Sequence, residues 1–92
     1  MTVNELRSVL KEYGWQEESI SNFDEFYQFK YSKKNKRIVV SETGYFRFIP
    51  IIRGRRMDWK GFGTLTEYCH LEKNTLFVDF SFVAQDNKRI RL

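Results

Sequence analysis

Only one stretch of this chain carries apolar side chains at helical spacing, and it lies at the start. Val3, Leu6, Leu10 and Tyr13 recur every three or four residues, with Val9 beside them. Thr2 and Glu5 stand at the capping-box spacing, which satisfies backbone N–H groups that the first turn leaves free. Gly14 follows as a stop, because glycine reaches positive φ without strain. The spacing predicts a helix over residues 2–13 with one apolar face. Such a face needs another surface to cover it.

The remainder reads as strands and turns. Gln16 to Asp24 is polar and fits either a strand or a loop. Tyr27, Phe29 and Tyr31 alternate with Gln28, Lys30 and Ser32, the period of a strand. Lys33-Lys34-Asn35-Lys36 reads as a polar turn, Arg37 to Ser41 as a returning strand, and Thr43-Gly44 as the next turn. Tyr45 to Ile52 is apolar on both faces, which suits a central strand. Pro50 cannot donate to a ladder, so a bulge or strand end is expected there. Thr64–Glu72 and Thr75–Ala84 read as a hairpin across Lys73-Asn74. In its second strand, Leu76, Val78, Phe80 and Phe82 share a face, and Asp79 and Ser81 take the other. Arg89 to Leu92 reads as a short edge strand.

These elements imply an α+β fold: one N-terminal amphipathic helix packed on an antiparallel β-meander of about five strands. The Leu76–Phe82 face is the expected partner of the helix. The chain is read as one domain, 1–92, with its helix at 2–13 and a β-rich part at 15–92. Nine Phe, five Tyr and two Trp supply enough bulk for one core without disulfides. A single cysteine, Cys69, forms no internal bridge, which favours a reducing, cytoplasmic setting. No apolar run approaches the roughly 20 residues of a membrane helix, and no secretory signal pattern is apparent.

The net charge of +4 is unevenly distributed. Residues 1–29 hold two basic and six acidic side chains, whereas residues 30–60 hold ten basic and two acidic ones. A concentrated excess generates a local field; a scattered one does not. The densest part is RGRRMDWKGFG, Arg53 to Gly63. Arg53, Arg55, Arg56 and Lys60 suit phosphates, and Trp59 and Phe62 suit stacking on unpaired bases. Lys33, Lys34, Lys36 and Arg37 form a second cationic group, useful to the first only if both turns lie at one end of the sheet. The expected function is a small non-enzymatic binding module that contacts RNA or DNA phosphates with low sequence specificity. The alternative is a protein-interaction module, an adaptor or inhibitor of the kind carried by mobile elements. Its basic arm would dock on an acidic partner, or on the acidic segment of a second copy to give a homodimer. No membrane, cofactor or metal is implied.

His70 is the only histidine, in Glu67-Tyr68-Cys69-His70-Leu71-Glu72. Adjacent strand residues point to opposite faces, so Cys69 and His70 do not share a metal. Cys69 falls with Leu65 and Leu71, which reads as packing. His70 falls with Thr66 and Tyr68, and with Glu72 beside it would supply a general base to an RNA-cleaving site. That is the third reading, behind binding and interaction. G-x-x-x-x-G-K and G-x-S-x-G motifs are absent from the sequence.

Two resemblances accompany this reading. Lys60-Gly61-Phe62-Gly63 resembles the ribonucleoprotein motif of cold-shock domains and RNA-recognition motifs, which implies base stacking. The continuation departs from it, with Thr64 and Leu65 where a further aromatic and an aliphatic are expected. Residues 4–41, a helix, then Gly14-Trp15, then the hairpin YQFKYSKKNKRIVV, resemble the opening of HicA-type toxins, which implies an RNA-binding shape. Their catalytic histidine precedes the first hairpin strand; here Ser21-Asn22-Phe23-Asp24-Glu25 occupies that region.

Overall fold

The structure, a computed structural model, describes residues 1–23, 26–56, 64–78 and 88–92. The helix α1 spans Val3–Glu12, and Thr2 caps it by accepting a hydrogen bond from the Glu5 N–H at 3.1 Å. Its C-terminus closes with two reversed bonds, from Gly14 N to Lys11 O at 3.1 Å and from Trp15 N to Leu10 O at 2.9 Å. This Schellman arrangement requires a left-handed residue, which Gly14 supplies at φ +86°. Leu10 and Trp15 are both buried and complete the apolar contact that accompanies the motif.

The ambiguous segment is a strand, β1 (Gln16–Phe23), paired with β2 (Phe26–Lys33) across a register shift between Glu17 and Ser19. β3 (Lys36–Ser41) and β4 (Tyr45–Ile52) continue the antiparallel meander in the order β1-β2-β3-β4. Two short strands flank β4: β5 (Arg55–Arg56) and β6 (Thr64–Leu65). A 3₁₀ turn, Thr66–Tyr68, then leads into a second antiparallel sheet of β7 (Cys69–Glu72), β8 (Thr75–Val78) and β9 (Lys88–Arg91).

The protein is therefore a small α+β domain with one N-terminal helix and two antiparallel sheets, not a single five-stranded meander. The 3₁₀ turn is the physical reason. Alternation had suggested one strand from Thr64 to Glu72. Instead Thr66 is buried, and its amide donates to Gly44 O at 2.7 Å, which ends the first sheet before Cys69 begins the second. The parity that grouped Cys69 with Leu65, and His70 with Thr66, does not survive that turn. Pro50 produces no bulge. It pairs opposite Lys36 as the last residue of the β3–β4 ladder, and β4 then pairs with β5.

One buried cluster joins the layers. Leu6, Leu10 and Trp15 meet Tyr31, Ile38, Val40, Phe46 and Phe48 of the meander and Leu76, Val78 and Ile90 of the second sheet. Leu76 and Val78 thus join the helix stripe in the core as expected; Asp79, Phe80, Ser81 and Phe82 lie outside the described residues. A polar network ties α1 to β1 and β2. The Tyr31 hydroxyl accepts from Arg7 Nε at 2.8 Å and donates to Glu17 Oε2 at 2.9 Å. Lys11 lies 3.5 Å from the same carboxylate.

Candidate nucleic-acid interface

The meander sets which turns share an end. β2 runs to the Lys34-Asn35 turn and β3 returns from it. β4 runs back toward that end, because Lys36 lies opposite Pro50. The next turn, Arg53-Gly54, therefore leaves the sheet at the same end. Its strands close with Ile52 opposite Arg55. Arg53 and Gly54 have φ of 55° and 76°, the two-residue turn whose twist matches antiparallel strands. Lys34, Arg53 and Arg55 are exposed. Among the described residues, no carboxylate pairs with any of them.

The other cations of the second group are engaged. Lys33 Nζ donates to Tyr13 O at 2.6 Å and to Leu92 O at 2.5 Å. It thereby satisfies the end of α1, where a cation is favoured, and holds the residue after β9. Lys36 Nζ donates to Arg91 O at 2.7 Å and lies 5.6 Å from the centroid of a Trp15 ring. These two lysines join the helix end, the meander and β9. Burial pulls the Lys36 pKa below its ordinary value, and the charges of Lys33, Lys34 and Arg91 pull it further. Four cations thus meet at this end, and Arg91 was not a sequence candidate. Nothing local marks it, because β9 reaches the β2–β3 turn only through tertiary packing.

Arg37 points elsewhere. It lies 3.9 Å from Glu18 and lines a groove of about 370 Å³ on the outer face of the meander, together with Lys30 and Arg47. Lys30 and Arg47 were also missed, although both occupy outward positions of their strands. Arg56 belongs to β5. Trp59, Lys60 and Phe62 lie outside the described residues.

His70 stands on the second sheet, exposed. Its Nε2 is 3.5 Å from Glu72 Oε1, and its ring stacks on Phe77 with centroids 5.0 Å apart. The Arg89 guanidinium lies 5.4 Å from the Phe77 centroid. Cys69 is buried. Burial pushes its thiol up to about 11, against a smaller opposing pull from the N-terminal ammonium, so it is a packed thiol and not a nucleophile. Among the described residues, no three His, Cys, Asp or Glu side chains gather as a metal site, and no helix is long and apolar enough to cross a membrane.

No protein-family model matches this chain, and comparisons with curated proteins and with solved structures find no match either.

Proposed function

We propose that this chain is a small non-enzymatic module that binds nucleic acid through its phosphates, with little sequence preference, at the rim formed by the β2–β3 and β4–β5 turns. The observation that carries this reading is the shared end of those turns. Lys34, Arg53 and Arg55 project there into solvent, beside Lys33, Lys36 and Arg91. Lys34, Arg53, Arg55 and Arg91 make the principal phosphate contacts. Lys33 and Lys36 add field while their ammonium groups stay on main-chain oxygens.

The interaction reading, with the arm of one copy on the acidic segment of another, has less support. Glu17 is engaged by Arg7, Lys11 and Tyr31, and Glu18 by Arg37, which reduces the acidic surface a second copy would meet.

Retention on oligonucleotides across a salt series is the test. Binding by about four cations predicts a log–log slope of roughly −3 to −4. Each of Arg53→Ala and Arg55→Ala lowers that slope by about 1. A protein that binds neither single- nor double-stranded nucleic acid at low salt overturns the reading.

A further inference from the structure

The second sheet turns an ordered set of side chains outward. Cys69, Leu76, Val78, Ile90 and Leu92 are buried on its inner face. Strand alternation therefore directs His70 and Glu72 of β7, Phe77 of β8, and Arg89 and Arg91 of β9 the other way. The register sets these in two rows. Glu72, Thr75 and Arg91 lie nearer the β7–β8 turn, and His70, Phe77 and Arg89 lie beyond them. The first row adjoins the rim. The Tyr13 hydroxyl, at the end of α1, donates to Lys73 O in the β7–β8 turn, and Arg91 O receives Lys36 Nζ. Arg91 thus belongs both to the rim and to this face.

The second row is a platform of flat groups. The His70 and Phe77 rings are parallel to within 7°. Phe77 is half-buried, whereas the His70 side chain is 61% exposed, so the imidazole keeps a surface open to solvent. Glu72, 3.5 Å from Nε2, holds the imidazole in place. Arg89 flanks Phe77 from the opposite strand, and its contact with the ring leaves its charge and its N–H donors intact. Among the described residues, no carboxylate lies within ion-pair distance of Arg89 or Arg91. Two positions apart on β9, their backbones are separated by roughly 6.5 Å, a step like that between successive phosphates. Charge is polarised across the sheet, with arginines on β9, the ring on β8, and Glu67 and Glu72 on the β7 side. Phosphates are drawn to β9 and repelled from β7, where a neutral base is tolerated. A hollow of about 360 Å³ borders the row, walled also by Glu67, Tyr68, Cys69 and Val78.

We infer that the outward face of the second sheet receives single-stranded nucleic acid from the rim. The backbone passes from Arg91 to Arg89, which each take a phosphate, and a base enters the hollow and stacks on His70, backed by Phe77. This reading rests on the proposed phosphate-binding rim and names the form of nucleic acid that the rim serves. The described face is an open sheet with a ring platform, not a helix or ribbon projecting into a duplex groove, and stacking requires unpaired bases.

The test uses a labelled oligonucleotide as a single strand and as a duplex of the same sequence, with the full chain. The single strand binds at least roughly fivefold more tightly, the least that one stacked base contributes. His70→Ala weakens single-strand binding by roughly 5- to 100-fold and leaves duplex binding unchanged, while His70→Phe, which keeps a flat ring, binds like the parent. Arg89→Gln lowers the single-strand salt slope by about 0.7. Equal affinity for the two forms overturns the inference, as does His70→Ala binding like the parent or weakening both forms alike. If Arg53→Ala weakens binding and neither His70→Ala nor Arg89→Gln does, the rim stands and the second-sheet site falls. If the parent binds neither form, both fall.

Discussion

Tyr31→Phe isolates one polar network at little packing cost. The ring is fully buried, and phenylalanine refills its volume. What disappears is a hydroxyl that accepts from Arg7 and donates to Glu17. Hydrogen bonds to charged groups contribute about 1.5–3 kcal/mol each. Here the sum is reduced for two reasons. Arg7 and Glu17 remain 3.4 Å apart and keep each other as partners, and their side chains are 25% and 21% exposed, so water reaches both. The expected loss is about 2 kcal/mol, or a fall in Tm of about 10 °C for a domain of this size.

Acid supplies the control. Burial pushes the Glu17 pKa up, but the Tyr31 hydrogen bond, the Lys11 charge, and the Arg7 hydrogen bond and charge together hold it below the ordinary value. A carboxyl lowered in the fold adds stability that is fully present above its unfolded pKa of about 4.3 and is lost as pH falls through the folded value. Removing the hydroxyl takes away part of that contribution. The gap between parent and variant is therefore widest at neutral pH and narrows below about pH 4. Thermal or urea unfolding at pH 7 and pH 3 measures it. Equal stability at pH 7, or a gap unchanged at pH 3, refutes the reasoning.

Lys33→Met keeps the aliphatic stem and leaves Tyr13 O and Leu92 O without their cation. A loss of about 1–2 kcal/mol is expected, with amide exchange rising first in β9; unchanged β9 protection would contradict the anchoring role. Gly54→Ala adds a methyl with no heavy atom within 4 Å. Only the positive φ opposes it, and urea unfolding should show a cost near 1 kcal/mol, not the several that a clash would bring. Cys69 should resist iodoacetamide in the native protein at pH 8 and react once denatured, as followed by mass; rapid native alkylation would place it at the surface.

The helix, its Thr2 cap and its Gly14 stop were legible because each is settled within one or two turns of chain. The β2–β3 and β7–β8 hairpins were legible for the same reason, from alternation broken by polar turns. Alternation could not reveal the division into two sheets, since a 3₁₀ turn at Thr66–Tyr68 leaves the apolar–polar pattern looking continuous. At the candidate site, a count of antiparallel strands allowed the Lys34 and Arg53 turns to share an end. Whether a lysine there meets solvent or a carbonyl depends on what packs beside it. Lys33 and Lys36 lie next to Lys34 in the chain, yet Tyr13, Arg91 and Leu92 capture them from elements far away in sequence. Side-chain chemistry and local periodicity shaped each element and concentrated positive charge in the middle of the chain. Long-range register and packing chose which of those charges became struts and which remained in water, because the main-chain oxygens that hold Lys33 and Lys36 come within reach only in the assembled fold.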